Sequence, residues 1–321
     1  MNSMITIAKN SNDIDFIKYA FSLGVKDFRI NMDYEKDAYD AISKLKTLYT
    51  NYEINIYADF QGDKFRIQLK DGENDLQYKI GEQLQFYYEN NYPFISHVIT
   101  SQDKIKVDQI LSIADGKIIA EITTVDSKSF TVTFTKVDYV LRNNAGCCFL
   151  GERAPFNSMT KDSCLKIAKS LAVENKMINW VILSFVDSPD EISDFIKTMH
   201  ERNIKVMAKI ETKNGVLNIE KIAPIIDGFM IGRGDLKNTS QAEYQTLYET
   251  ALDKLKNLNG NGFYGVGTFF LSKFSETKVL TDDEKLDVLK IKELRLDYIM
   301  LSKEVVNSKY PRESIKKMME L

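Results

Sequence analysis

Residues 204–236 read IKVMAKIETKNGVLNIEKIAPIIDGFMIGRGDL. Two short apolar runs, Ile204–Ile210 and Gly228–Gly232, have the length and composition of buried strands, and each ends on polar residues: Lys209-Ile-Glu211 and Gly232-Arg-Gly-Asp235. The same alternation of apolar run and amphipathic stretch extends in both directions. Further candidate strands are Met4–Ala8, Val25–Asn31, Ile54–Asp59, Ile178–Phe185, Gly262–Thr268 and Leu296–Leu301. Helical periodicity covers Asp13–Leu23, Glu35–Thr50, Thr160–Glu174, Pro189–Arg202, Gln241–Leu258, Asp282–Leu294 and Pro311–Glu320. Repeated β-α units in this number predict an α/β fold, a (β/α)8 TIM barrel.

One interval breaks the rhythm. Between Asp59 and Thr160 the chain carries strand patterns at Phe65–Leu69, Gln83–Tyr88, Lys117–Thr124 and Ser129–Val137, with turn signals at Asp71-Gly72 and Asp115-Gly116. The predicted organisation is a catalytic barrel over residues 1–62 and 158–321, and an inserted small all-β, barrel-like lid domain over 63–157. The insertion follows the third barrel strand, at the end where barrel active sites lie.

Composition narrows the function. The chain has 321 residues, 44% of them apolar, and a formal net charge of −3 with no basic stripe, which argues against nucleic acid as a partner. No apolar run is long enough for a membrane span, and the polar N-terminus lacks a signal-peptide pattern, so a cytoplasmic protein is expected. Three cysteines, two of them adjacent (Cys147 and Cys148), fit a reducing compartment. With only His97 and His200 present, a zinc site or a Ser-His-Asp triad is disfavoured, and the chemistry falls to carboxylates, Lys and Arg.

Those residues gather at the ends of the predicted strands. Arg29 and Asn31 close the second, Asp59 the third, Lys209 and Glu211 the fifth, Gly232–Asp235 the sixth and Thr268 the seventh. On a strand, residues two apart face the same way, so the Lys209 ammonium and the Glu211 carboxylate point into one mouth. Asp235 supplies a second carboxylate from the neighbouring strand. Two carboxylates completed by water and substrate oxygens suit Mg2+ or Mn2+. Gly232 and Gly234 flank Arg233 in a strand-to-helix turn whose N–H groups suit an anion.

In an ordered set of motifs the chain resembles pyruvate kinases. These are Ser184-Phe185-Val186, Ala208-Lys209-Ile210-Glu211, Gly215-Val216-x-Asn218-Ile219, Asp227-Gly228, Gly232-Arg-Gly-Asp-Leu236 and Met300-Leu301-Ser302-x-Glu304 with Lys309-Tyr310-Pro311. Phe28-Arg29-Ile30-Asn31 and Asp59-x-x-Gly62-x-x-x-Arg66 match more loosely. The resemblance implies phosphoryl transfer between phosphoenolpyruvate/pyruvate and ADP/ATP with Mg2+ or Mn2+. It casts Lys209, Arg29 and Thr268 as catalytic groups, and Glu211 and Asp235 as metal ligands. The backbone of Gly232, Arg233 and Gly234, with Thr268, would bind the substrate carboxylate, and Arg66 and Tyr34 would lie on the nucleotide side. It also implies that the chain stops before the family's C-terminal effector domain, so hyperbolic kinetics are expected, with a homodimer as a possible assembly.

The monovalent-cation site of the family aligns with Asn31, Asp33, Asp59 and Phe60, and the last of these offers no side-chain oxygen. Lys64 stands where potassium-independent members carry Lys, so K+ is expected to be dispensable. Other departures fall around the substrate pocket: Gln61 replaces a Lys, Tyr34 a nucleotide-side His, Lys9 a Pro and Lys303 a Gly. Phe269-Phe270 replaces Gln-Met, and Gly146–Gly151 replaces a Val-Asn-Leu-Pro hinge. Three readings stay open at this point: the kinase, a metal-dependent pyruvate-enolate aldolase or lyase, and a catalytically impaired ligand-binding relative.

Overall fold

The computed structural model describes the whole chain except residues 1, 8–12, 33–34, 49, 51–52, 63, 71–72, 74, 89–90, 97–104, 115, 151–157, 176, 259–262, 268–270, 295–296 and 321. Eight parallel strands close into a barrel: β1 (Asn2–Ile7), β2 (Asp27–Asn31), β3 (Asn55–Phe60), β4 (Trp180–Leu183), β5 (Lys205–Ile210), β6 (Gly228–Gly232), β7 (Phe263–Gly267) and β8 (Tyr298–Leu301). Each pairs with its sequence neighbours, and β1 pairs with β8 to complete the ring. The helices are α1 (Ile14–Ser22), α2 (Glu35–Leu48), α3 (Lys161–Ala168), α4 (Pro189–Glu201), α5 (Lys213–Ile222), α6 (Arg233–Ser240), α7 (Tyr244–Asn257), α8 (Asp282–Leu294) and α9 (Pro311–Met319), with four-residue helical turns besides.

The two-residue period of a strand organises this unit. On β5, Val206, Ala208 and Ile210 join the large cluster shared with the helices, whereas Met207 joins an interior cluster with Met4, Tyr57, Trp180, Ile182, Met230, Tyr298 and Met300. The same phase turns Thr6, Arg29, Asp59, Ser184 and Lys209 inward, one step nearer the C-terminal strand ends. The apolar interior therefore gives way to a polar layer at one end, the arrangement that strand ends in this fold use for chemistry.

Local signals set the helices. In α4, the Ser188 hydroxyl caps the Asp190 N–H at 3.2 Å, Pro189 opens the first turn with Asp190 and Glu191, and Ile192, Phe195, Ile196 and Met199 face the core. Helix α5 has no counterpart among the predicted helices. It starts at the Thr212 cap and packs so closely that a Cβ on Gly215 would stand 2.8 Å from the Val186 carbonyl oxygen. Strand four, expected through Phe185, stops at Leu183, because Phe185 adopts a left-handed φ of 55° that no strand continues.

A second compact unit comprises residues 63–158 with 237–241. Its seven-stranded sheet runs in the order Cys147–Leu150, Ile110–Ile113, Ile118–Val125, Ser129–Val137, Gln83–Tyr87, Phe94–Ser96 and Arg66–Gln68. Bonds from Cys147 N–H to the Phe65 carbonyl (3.0 Å) and from Ile67 N–H to the Ala145 carbonyl (2.9 Å) join its first and last strands. Phe86, Phe130, Phe134 and Phe149 anchor its separate core. Cys147 and Cys148 are buried in this unit and are not joined by a disulfide.

Candidate functional site

The polar layer is built around Asp59, which is fully buried at the end of β3. Its Oδ2 receives both the Nε and the Nη2 of Arg29 at 2.6 Å. Lys209 Nζ lies 3.3 and 3.2 Å from its two oxygens, and the Ser184 hydroxyl donates to Oδ1 at 3.3 Å. Lys209 in turn donates to Ser184 Oγ at 2.8 Å and pairs with Glu211 Oε1 at 3.3 Å, as the strand phase requires. Arg29 Nη1 completes its set on Thr6 Oγ1 at 3.0 Å. Burial alone would push the Asp59 carboxyl up, but Lys209 and Arg29 outweigh it and hold it below the usual carboxylate range. Burial likewise works against the Lys209 ammonium. Asp59 and Glu211 overcome it, Arg29 opposing and Asp235 adding to them, and the lysine stays above its ordinary value. A lysine held this way is a fixed positive charge and not a proton acceptor at neutral pH.

Glu211 is seated as tightly. Its Oε2 accepts the Phe185 N–H at 3.0 Å, a bond made available by the left-handed turn at Phe185. Its side chain lies directly over Gly232: a Cβ there would overlap the carboxylate and stand 2.6 Å from Cγ. Gly232 is thus required for close approach more than for backbone freedom. Asp235 sits in the first turn of α6, which begins at Arg233, so the anion-binding turn expected from Gly232–Gly234 is the N-terminus of that helix.

The Arg233 side chain does not join the mouth, because its guanidinium turns outward into the helix layer. It donates to Asp287 Oδ2 at 2.6 Å and lies 5.9 Å from the Tyr248 ring. What remains at the strand end is the Arg233 backbone, the part of this residue anticipated there for its N–H group. The phase of a new helix, not that of the strand, fixes where its first side chain points.

The other anticipated residues divide between units. Asn31 ends β2. Lys64 and Arg66 belong to the second unit, where Lys64 Cε stands 3.1 Å from the place a Gly146 Cβ would take and Arg66 Nη1 donates to the Asn144 carbonyl at 3.0 Å. Asp33, Tyr34 and Thr268 lie outside the described residues. Ser184 and Thr6 carry no role in the sequence reading, although both occupy inward strand-end positions, and the two-residue period identifies them once the strands are phased.

Glu211 and Asp235 are the two carboxylates anticipated for a cation. Lys209 and the Phe185 N–H engage the two oxygens of Glu211, and a carboxylate oxygen can accept more than one bond. Among the described residues no group of three or more His, Cys, Asp or Glu gathers as a metal cage. The donor set fits a hard ion that keeps water and substrate oxygens, as Mg2+ does, better than a closed protein cage.

Asp187, two residues beyond Phe185, has a different role. Its Oδ1 accepts the Thr212 hydroxyl, its Oδ2 is buried without a partner, and burial outweighs the Thr212 and Gly215 hydrogen bonds to push its carboxyl up to about 6. A raised acid binds its proton more tightly when folded. The native state is therefore penalised above pH 6 and relieved as pH falls toward 3.8. Asp187→Asn should raise stability at pH 8 by roughly 1–3 kcal/mol, with the gain vanishing near pH 4, as denaturant titrations at the two pH values will show.

The family profile described as "Pyruvate kinase, barrel domain" matches residues 2–315. The chain is 26% identical over 262 residues to a pyruvate kinase of Lactococcus lactis, covering 80% of this chain and 49% of that protein. To one of Geobacillus stearothermophilus it is 28% identical over 223 residues, covering 68% and 37%. To one of Thermotoga maritima it is 26% identical over 322 residues, covering 97% and 68%. The chain thus spans half or less of the length of the first two.

Proposed function

The chain belongs to the pyruvate kinase family, and we propose that within it the barrel mouth transfers a phosphoryl group between phosphoenolpyruvate and ADP with Mg2+. The single observation that carries this reading is the Lys209 ammonium, buried and held charged between Asp59 and Glu211. In the forward direction the bond from phosphorus to the enol oxygen breaks as the ADP oxygen attacks phosphorus. The products are ATP and the enolate of pyruvate, which takes a proton at carbon. Charge grows on the enol oxygen and spreads over the transferring group, where Lys209 and Arg29 would stabilise it. The N–H groups opening α6 hold the substrate carboxylate. Glu211 and Asp235 would hold Mg2+, which when bound supplies further neutralisation of the phosphoryl and enolate oxygens.

Charge supports the metal requirement. Arg29 and Lys209 face Asp59, Glu211 and Asp235, an excess of one negative charge that repels an anionic substrate. A divalent ion reverses that sign. The test mixes protein, Mg2+, phosphoenolpyruvate and a nucleotide panel and follows pyruvate by coupled NADH oxidation. Pyruvate that forms only with nucleotide supports the kinase. No pyruvate with any nucleotide rejects it.

We further propose that the second unit acts as a lid and that K+ is dispensable, with the Lys64 charge in its place. Adding KCl at constant ionic strength should then change the rate less than about twofold, since a fixed ammonium already supplies the charge. A many-fold rise would sink the idea. A second reading is favoured by Gln61, which offers no cation, and by Arg66, which is engaged by Asn144. It is enolisation of pyruvate without nucleotide, which proton exchange into pyruvate with Mg2+ alone would reveal.

A further inference from the structure

We propose that Asp287, on α8, is a positioning residue for the barrel mouth: with Tyr248 of α7 it anchors the Arg233 guanidinium and so fixes the Gly232–Asp235 junction. The inference rests on the reading of Glu211 and Asp235 as the metal site.

Arg233 follows Gly232 directly, and its side chain is only 3% exposed. A guanidinium this deep needs a counter-charge and filled donors. Asp287 supplies the charge at 2.6 Å, the Tyr248 hydroxyl oxygen accepts from the guanidinium, and the Tyr248 ring lies 5.9 Å from the guanidinium carbon. Tyr244 stacks on Tyr248 with centroids 5.9 Å apart and planes 8° from parallel, which stiffens that wall of the socket. The peptide tethered in this way performs two tasks on its other side. Gly232 accommodates the Glu211 side chain within van der Waals contact, and the next residues open α6 and carry Asp235.

Without the Asp287 charge, the buried guanidinium loses its paired carboxylate and is relieved by swinging toward water. That movement pulls on the strand-to-helix junction, because Arg233 is its first helical residue. Both candidate metal ligands then lose their relative placement although neither has been altered. Asp287 lies 54 residues from Arg233, so no local pattern in the sequence links them.

The test titrates wild type, Asp287→Asn and Asp287→Glu with Mn2+ by electron paramagnetic resonance, and then with oxalate, a planar dianion with the form of an enolate carboxylate. Asp287→Asn should weaken the Mn2+–oxalate complex by about tenfold or more, with Asp287→Glu within about threefold of wild type, as expected for a displaced but chemically intact site. Should Asp287→Asn fail to fold, Tyr248→Phe removes only the hydroxyl contact and should weaken binding by about threefold in the same direction. Unchanged affinity in a folded variant, with only a lower melting temperature, would overturn the proposal and leave a merely structural ion pair. Wild type that binds neither Mn2+ nor oxalate would instead overturn the metal-site reading, and this inference with it.

Discussion

Lys209→Met is expected to lower the proposed phosphoryl transfer by on the order of 10²–10³-fold or more while leaving the KM for phosphoenolpyruvate little changed. Methionine keeps the unbranched apolar stem of the lysine and removes the ammonium with its charge and its three N–H donors. In the ground state the ammonium is engaged by Asp59, Ser184 and Glu211. Its attraction for the reacting oxygens grows when enolate charge develops, so the loss should appear in kcat. The variant also breaks a buried ionic network. Asp59 keeps Arg29, but Glu211 loses its cation, and removing one partner of a buried pair typically costs about 3–5 kcal/mol. Turnover must therefore be measured well below the variant's melting transition, with circular dichroism as the check. Lys209→Arg should not rescue it, because a planar fork cannot replace a compact ammonium among three acceptors. A folded Lys209→Met protein with turnover within a few-fold of wild type would remove the basis of the proposed mechanism.

The barrel was legible because its signal is local and repeated. Apolar runs of strand length, each ended by Arg29, Asp59, Lys209 or Gly232, identify both the strands and the end that carries chemistry. What was not legible depends on geometry between elements. Phe185 reads as one more apolar strand residue, and only its left-handed backbone shows that its N–H serves Glu211. Gly232 reads as a turn glycine, whereas its task is to leave space for a neighbouring strand's side chain. Arg233 stands among residues of the mouth in the sequence but turns away from them, toward partners on α7 and α8. The strand Cys147–Leu150 escapes sequence reading because Cys-Cys-Phe-Leu lacks alternation, and it is buried on three of its four residues. Asp187 carries no sequence signal at all, since a single Asp after a strand is ordinarily solvated.

Gly232→Ala is the most economical test of whether Glu211 is held where a cation could use it. The substitution adds one methyl group with no change in charge, and the intrinsic backbone preference favours alanine. That methyl would nevertheless overlap the Glu211 carboxylate and stand 2.6 Å from its Cγ. Neither side can yield easily. Glu211 is fixed by Lys209 at 3.3 Å and by the Phe185 N–H at 3.0 Å, and Gly232 is paired within the barrel to Gly267. If Glu211 moves, Lys209 loses a carboxylate and the Phe185 N–H loses its acceptor, a buried donor whose loss typically costs about 1–3 kcal/mol. If the strand moves instead, Asp235 shifts with it. Either way the two carboxylates lose their relative placement, and Mn2+ affinity should fall by at least about tenfold, a smaller loss than removing the ligand itself by Glu211→Gln. Because the readout is metal binding, the outcome does not depend on which reaction the site performs. Wild-type Mn2+ affinity in Gly232→Ala would mean that the ion is held elsewhere, and that the close seat of Glu211 over Gly232 serves only to pack the barrel.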